Sequence, residues 1–199
     1  MILLVRHGET PFNAARVVQP PDTPLSERGL AQAACVARRI AQLGAGLVLT
    51  SDLERARRTA QVIAEAASAP LELSELLQER NFGDLRGKPY SELPDNAFSP
   101  DFTPPGGENG ADVEARAVRA FAFISKKLEG LEGNLVVVSH GLFCAALVRA
   151  HMRLAEGLTM PDHFANCSLT TIERAAPYRV QALNDVSHLA QLHADSGIV

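Results

Sequence analysis

Short apolar runs alternate along the chain with longer segments whose apolar residues recur three and four positions apart. The runs are typical of buried strands: Leu3–Val5, Leu47–Thr50, Leu71–Leu73, Leu135–Val138, Leu169–Ile172 and Tyr178–Ala182. The longer segments are typical of helices: residues 26–43, 51–69, 113–128 and 142–154. Because strands that alternate with helices usually form parallel sheets covered on both faces, we expect an α/β fold. The pattern predicts a three-layer sandwich with a mostly parallel central sheet flanked by helices.

Polar residues and glycines at the segment boundaries predict where the helices begin and end. Ser26 and Ser51 are the expected N-caps, and Gly44 is the expected end of the first helix. A cap at Ser51 places Arg55 in the first turn of the second helix. The last strand, around Val180, is expected at an edge of the sheet.

Hydrophobic periodicity fails over residues 78–110, where prolines and glycines are frequent. Ordered loops of this length are uncommon unless they carry function, so we interpret this segment as an active-site flap. No stretch of the chain has the composition of a linker. Residues 1–199 are therefore expected to form a single domain.

Composition narrows the choice of partners and compartment. The net charge of −4 disfavours nucleic acid and anionic membranes as partners. The longest apolar run, Leu142–Val148, is far shorter than the roughly 18–20 residues that span a bilayer. Three separated cysteines without a C-x-x-C motif indicate free thiols, and the first residues lack the features of a signal peptide. We expect a cytoplasmic protein that is a monomer or a homodimer.

The candidate chemistry lies where polar residues follow the predicted strands. Arg6 and His7 follow the first strand, and His140 follows the valine-rich strand. Arg55 opens the helix after the second strand, and Glu79 begins the irregular segment. Because ligands gather beyond the carboxyl ends of parallel strands, these residues are expected to converge at one edge of the sheet.

These residue types suit phosphoryl transfer without a metal ion. Arginine presents planar donor forks that match phosphate oxygens, and helix N-termini favour anions. A neutral imidazole can act as the nucleophile, and a partly buried carboxyl group as the general acid. Each residue alone also has a plainer interpretation. A histidine after a strand is more often a packing residue, Arg55 can be a solvated helix residue, and Glu79 can belong to a surface ion pair.

Five motifs in order resemble those of the histidine phosphatase superfamily, which is also called phosphoglycerate mutase-like. They read LVRHGET at residues 4–10, SDLxRAxxTA at 51–60, LQExxFGxLxG at 77–87, PGGE at 105–108 and VSHG at 138–141. A further stretch, NDxxHL at residues 184–189, is also frequent in that family.

The resemblance implies a role for each candidate residue. His7 is expected to be the nucleophile that forms a phosphohistidine. Glu79 is expected to protonate the leaving oxygen and then to help activate water. Gly8 is expected to let the backbone pass close to the site, and no metal ion or cofactor is implied. The phosphoryl oxygens are expected to bind a set of donors: Arg6, Asn13, Arg55 and His140.

Departures from the mutase pattern favour hydrolysis. Cofactor-dependent phosphoglycerate mutases have a tyrosine where Phe82 stands and a lysine near the position of Tyr90. They also carry arginines in an insertion, whereas residues 101–110 hold none here. Because those groups contact the substrate, a phosphoglycerate would lose partners in this chain. The Gln19–Pro21 stretch replaces a glycine-containing turn that borders the substrate, which bears on specificity.

The expected function is that of a metal-independent phosphomonoesterase that acts through a phosphohistidine on small phosphorylated metabolites. The alternatives are a phosphoglycerate mutase-type phosphotransferase and a non-catalytic phosphate-binding module. A metallohydrolase with His7 and His140 as ligands is a further alternative, although the chain lacks an H-x-H or H-E-x-x-H pattern.

Overall fold

The computed structural model describes residues 1–190 and 192, so that 191 and the end of the expected domain, 193–199, lie outside the described residues. Within the described part, the strands are β1 (Ile2–Arg6), β2 (Ala45–Thr50), β3 (Leu71–Leu73), β4 (Asn134–Ser139), β5 (Arg153–Leu154), β6 (Leu169–Ile172) and β7 (Arg179–Asp185). The α-helices are α1 (Pro11–Ala14), α2 (Glu27–Leu43), α3 (Glu54–Ala67), α4 (Gly110–Leu128) and α5 (Gly141–His151).

The strands form one sheet in the order β3-β2-β4-β1-β6-β7-β5. Strands β3, β2, β4 and β1 are parallel to one another. Strand β6 runs antiparallel to β1, β7 runs antiparallel to β6, and β5 is parallel to β7. Helices α2 and α3 bury their apolar residues with one face of the sheet, and α4 and α5 with the other. The predicted three-layer sandwich with a mostly parallel sheet is therefore confirmed.

Local signals explain both ends of α2, but the start of α3 differs from the prediction. Ser26 Oγ accepts a hydrogen bond from the Gly29 amide, and α2 ends at Gly44, whose φ is +77°. Helix α3 starts after Leu53, and Ser51 Oγ accepts from the Leu53 amide instead of capping the helix. The predicted cap at Ser51 is wrong because this residue still continues from β2. Arg55 nevertheless lies in the first turn of α3.

The C-terminal part of the sheet also differs from the prediction. Helix α5 ends at His151, earlier than expected, because Arg153 and Leu154 pair with β7 as a two-residue strand. This pairing makes β5 the edge of the sheet and places β7 inside it. Strand pairing therefore overrides the helical pattern of residues 152–154.

The segment 78–110 contains no strand or α-helix before α4 begins at Gly110, but it has a small core of its own. Val18, Phe82, Leu85 and Ala97 are buried together, and Tyr90, Leu93 and Phe102 pack against them. The buried guanidinium of Arg80 donates to a set of backbone carbonyls: Ser99, Phe102 and Glu108. The segment is therefore folded against the residues that follow α1. No helix among the described residues is long and apolar enough to cross a membrane.

Candidate active site

The register of β1 and β4 brings two histidines together. These strands are parallel neighbours in which Arg6 pairs with Ser139. The next residue of each strand, His7 and His140, leaves the sheet at the same edge, and the two ring centroids lie 5.1 Å apart. Both side chains are buried, and His140 is the N-cap residue of α5.

The hydrogen bonds of His7 assign its tautomer. Its Nδ1 lies 2.7 Å from the carbonyl oxygen of Gly8. Because a carbonyl oxygen only accepts, Nδ1 carries the proton, and the lone pair is on Nε2. Burial lowers the pKa of His7 well below its usual value, and the charges of Arg55 and Arg6 lower it further. The imidazole is therefore neutral near pH 7, and Nε2 is available as a nucleophile.

Two arginines and His140 surround this nucleophile with donors. Arg6 donates to the carbonyl oxygen of Phe164, and Arg55 donates to that of Pro20 at 3.1 Å. Within the described residues, Nε of Arg6, Nε of Arg55 and both ring nitrogens of His140 are buried without a hydrogen-bond partner. Buried polar groups are normally paired, so this set of nitrogens is suited to an anionic ligand.

The arginines keep their charge at this depth. Burial lowers the pKa of Arg55 to about 10, which leaves the guanidinium protonated at neutral pH. Burial likewise lowers the pKa of His140, and the charge of Arg55 lowers it further. The site therefore combines two cations with two neutral imidazoles, a distribution that favours a phosphate group.

Glu79 lies at the start of α5 rather than in a surface ion pair. Its carboxylate accepts from the backbone amides of Leu142 at 3.1 Å and Phe143 at 3.0 Å, and from that of Arg80 at 3.0 Å. No ion pair of Glu79 is found within the described residues. The first turn of α5 thus holds the carboxylate beside the two histidines.

The predicted residues converge on one cleft of about 220 Å³. Its lining includes five of the six candidates: Arg6, His7, Asn13, Arg55 and Glu79. His140 is fully buried against His7, behind this lining. Asn13 lines the cleft, and its Oδ1 accepts from the Thr10 amide and from Asn166 Nδ2.

The loop 163–168 supports the site, although the sequence offers little indication of this role. The Asn166 amide donates to the carbonyl oxygen of His7 at 3.1 Å, and Phe164 accepts from Arg6. Asn184 holds this loop by accepting from the Ala165 amide at 2.7 Å and donating to the His163 carbonyl at 3.2 Å. The available signal was the NDxxHL stretch, which begins at Asn184.

A partly buried ion pair holds the segment that carries Glu79. Arg116 Nε and Nη2 lie 2.9 and 2.7 Å from the two carboxylate oxygens of Glu108. Arg116 also donates to the carbonyl oxygens of Gln78 at 2.6 Å and Glu79 at 3.2 Å. Burial by itself raises the pKa of Glu108. Hydrogen bonds from Arg116 and from the Asn81 amide outweigh this effect of burial, so the pKa of Glu108 lies below its usual value. The PGGE motif marked Glu108, whereas no sequence signal marked Arg116.

Gly8 is required for a close approach to α2. A Cβ at Gly8 would lie 2.6 Å from the carbonyl oxygen of Gly29, and a Cβ at Gly29 would lie 2.0 Å from that of Glu9. The Gly8 amide also donates to Thr59 Oγ1 at 3.1 Å. The glycine therefore allows the loop after β1 to pack on the first turn of α2, and the expectation that it lets the backbone pass close to the site stays a prediction.

The remainder of the cleft is partly aromatic. The ring of Phe98 meets those of Phe82 and Tyr90 edge to face, with centroids 5.5 and 4.9 Å apart. Arg86 and Arg149 also line the cleft, and neither was singled out as a candidate from the sequence. Across residues 1–190 and 192, no three His, Cys, Asp or Glu side chains form a group that could hold a metal ion.

Comparisons with known proteins agree with this geometry. The family model described as histidine phosphatase superfamily (branch 1) matches residues 2–185. A relative from Escherichia fergusonii, named probable phosphoglycerate mutase GpmB, is 32% identical over 94% of each chain. The solved structure of Bacillus stearothermophilus YhfR has a TM-score of 0.82 and 28% identity over 94% of this chain and 98% of that one. The mycobacterial glucosyl-3-phosphoglycerate phosphatase Rv2419c, solved with VO3, has a TM-score of 0.77 and 26% identity over 92% and 98%. The chain therefore belongs to the histidine phosphatase superfamily.

Proposed function

We propose that this protein is a metal-independent phosphomonoesterase that acts through a phosphohistidine on small phosphorylated metabolites. The observation that carries the proposal is the set of buried nitrogens without partners around the unprotonated Nε2 of His7. Arg6, Arg55 and His140 supply these nitrogens. An anion with several oxygens, such as a phosphoryl group, satisfies donors arranged in this way.

The reaction has two displacement steps. In the first, Nε2 of His7 attacks phosphorus, the bond to the leaving oxygen breaks, and the Glu79 carboxyl group gives that oxygen a proton. In the second, water attacks the phosphohistidine, Glu79 takes up a proton from the water, and the phosphorus–nitrogen bond breaks. The arginines neutralise the charge on the phosphoryl oxygens in both steps.

The cleft lining favours hydrolysis over mutase action. Phe82 is buried and has no hydroxyl group, and none of residues 101–110 lines the cleft. The resemblance to a glucosyl-3-phosphoglycerate phosphatase supports a phosphatase, whereas the relatives named phosphoglycerate mutase support the alternative. The products decide between them. With a phosphoglycerate as substrate, a phosphatase releases inorganic phosphate, and a mutase yields the positional isomer.

Trapping of the covalent intermediate tests the nucleophile. Wild-type protein incubated with a labelled phosphate ester is expected to carry acid-labile, base-stable label. His7→Ala is expected to carry none and to lose up to about 10⁶-fold in kcat. His151→Gln, which changes a histidine outside the cleft, serves as the matched control. Label that persists in His7→Ala contradicts the assignment, and the absence of turnover in the wild type favours a non-catalytic phosphate-binding module.

The dependence on the leaving group tests Glu79. An alkoxide needs a proton to leave, whereas p-nitrophenolate scarcely does. Glu79→Gln is therefore expected to slow phosphorylation by alkyl phosphates about 10²–10⁴-fold and by p-nitrophenyl phosphate much less. Asp84→Asn, an exposed carboxylate of the same segment outside the cleft, is the control. Equal defects with both esters in pre-steady-state measurements would show that Glu79 is not the acid.

A further inference from the structure

The cleft carries more positive charge than a phosphoryl group alone requires. Five arginines line it, against the two carboxylates of Glu79 and Asp162. Arg6 and Arg55 face His7, and the guanidinium of Arg80 is bound by three backbone carbonyls. The side chains of Arg86 and Arg149 are exposed, and neither guanidinium makes a hydrogen bond or ion pair within the described residues. This excess contrasts with the net charge of −4 of the whole chain.

Arg149 occupies a defined position relative to the phosphoryl site. It lies on α5, the helix whose first turn holds Glu79 and follows His140. Leu142, Ala145 and Arg149 are spaced by three and four residues, so they share one face of α5, and all three line the cleft. Arg149 lies about 10 Å beyond Leu142 along the axis, at 1.5 Å per residue. Because Cα–Cβ bonds lean towards the helix N-terminus, its side chain leans back towards the site.

The surface between the two positions is apolar. Leu142 is 37% exposed and Phe98 is 42% exposed, although both are large hydrophobic side chains. Leu142, Phe98 and Arg149 also line a second groove of about 570 Å³, which continues between α4 and α5. The groove contains small side chains that leave room for an apolar chain: Ala111, Ala115, Ala146 and Ala150. The cleft therefore extends from the phosphoryl site across an apolar surface to a cation.

From this arrangement we infer a substrate class that rests on the proposed function. The cleft binds phosphate monoesters whose leaving group carries a second anionic group at the far end of an apolar linker, and Arg149 binds that second group. A carboxylate or a second phosphate has the required charge and oxygen geometry. Asp162 lines the same cleft, and its carboxylate opposes the second anion. Arg149 and Asp162 together set how strongly such substrates are preferred.

Binding of phosphonates tests this inference without turnover. The probes are hexylphosphonate and the same molecule with a terminal carboxylate, and calorimetry at low ionic strength gives both dissociation constants. Wild-type protein is expected to bind the carboxylated probe about three- to tenfold more tightly, the size of an ordinary hydrogen bond, because solvent at this exposed site weakens a charge-assisted one. Arg149→Gln should abolish this preference, and Asp162→Asn should increase it. Arg119→Gln, which removes an exposed arginine of α4 outside both cavities, should leave it unchanged.

The outcomes separate the subsite from the proposed chemistry. Equal affinities in the wild type, a preference that survives Arg149→Gln, or a preference lost only in Arg86→Gln would each overturn the assignment to Arg149. Arg149→Lys keeps the charge and should retain part of the preference, which guards against a folding defect in Arg149→Gln. Hydrolysis of hexyl phosphate is measured in parallel. Failure of hydrolysis alongside the expected phosphonate preference would reject the phosphatase proposal but not the subsite.

Discussion

Replacement of Arg116 by alanine is expected to loosen the backbone that carries Glu79. The substitution removes both hydrogen bonds to the Glu108 carboxylate. It also removes the donors to the carbonyl oxygens of Gln78 and Glu79, and the guanidinium that lies 4.4 Å from the ring centre of Phe143. Glu108 is then left as a half-buried carboxylate without its cation.

The expected loss in the free energy of unfolding is about 3 kcal/mol. Removal of one partner of a buried ion pair typically costs about 3–5 kcal/mol, because the other charge remains buried. The lower end applies here because the Glu108 side chain is 23% exposed and water can reach it. Arg116→Lys keeps the charge but not the planar fork, so about half of the loss is expected.

Urea unfolding measures the loss, and kinetics measure its consequence for the site. The midpoint should fall with little change in the slope of free energy against urea concentration. At temperatures where Arg116→Ala stays folded, turnover of alkyl phosphates should fall more than turnover of p-nitrophenyl phosphate, since the displaced group is Glu79. Arg119→Ala, on the exposed side of the same helix, should change stability by less than about 0.5 kcal/mol.

The pH dependence of the loss provides a second check. The pKa of Glu108 is lowered in the folded protein, so the pair contributes stability above the unfolded value of 4.5. That contribution disappears as the pH falls through the folded pKa, so the difference in stability between the wild type and Arg116→Ala should then narrow to the part that comes from the lost hydrogen bonds to the Gln78 and Glu79 carbonyl oxygens. A stability within about 1 kcal/mol of wild type at pH 7, or an unchanged ratio between the two esters, would refute the reasoning.

Three further outcomes are expected. Burial lowers the pKa of His7 and of His140, so NMR should find both rings neutral at pH 6.5. As the pH is lowered further, these two histidines take up protons in the unfolded chain before they do so in the folded protein, and the free energy of unfolding should therefore decrease. Gly29→Ala should destabilise the protein by about 1–3 kcal/mol in urea unfolding, since its Cβ would meet the Glu9 carbonyl, and equal or higher stability would contradict this close approach. Glycine tolerates the φ of +55° at position 184, but Asn184→Gly removes the side chain that holds the loop 163–168. The value of kcat/KM should therefore fall about tenfold without a comparable loss of stability. An unchanged kcat/KM would show that Asn184 does not position Arg6.

The types of element and their order follow from local patterns in the sequence. Leu135–Val138 is wholly apolar because β4 is buried on both faces, and the Ser26 and Gly44 signals mark both ends of α2. The rule that ligands gather at the carboxyl ends of parallel strands was enough to group five of the six candidate residues, and the family resemblance added Asn13. Residue types then indicated the chemistry, and the motifs implied a role for each residue.

Strand order, register and side-chain partners were decided by the tertiary structure. No spacing along the chain states that β4 lies between β1 and β2, or that Arg6 pairs with Ser139, yet this register places His7 beside His140. The tautomer of His7 likewise depends on the position of one carbonyl oxygen. The pairing of β1 with β4 joins residues more than a hundred positions apart, and its free energy depends on the packing of the whole sheet.

The same reason explains the residues that the sequence did not mark. Arg116 and Arg149 lie within helices, where an arginine is usually solvated and carries no motif. Each acquires its importance from the segment packed against its helix: residues 78–108 against α4 for Arg116, and the cleft along α5 for Arg149. Local patterns specify the elements and the candidate groups, whereas long-range packing decides which arginine holds the segment of Glu79 and which ones line the cleft.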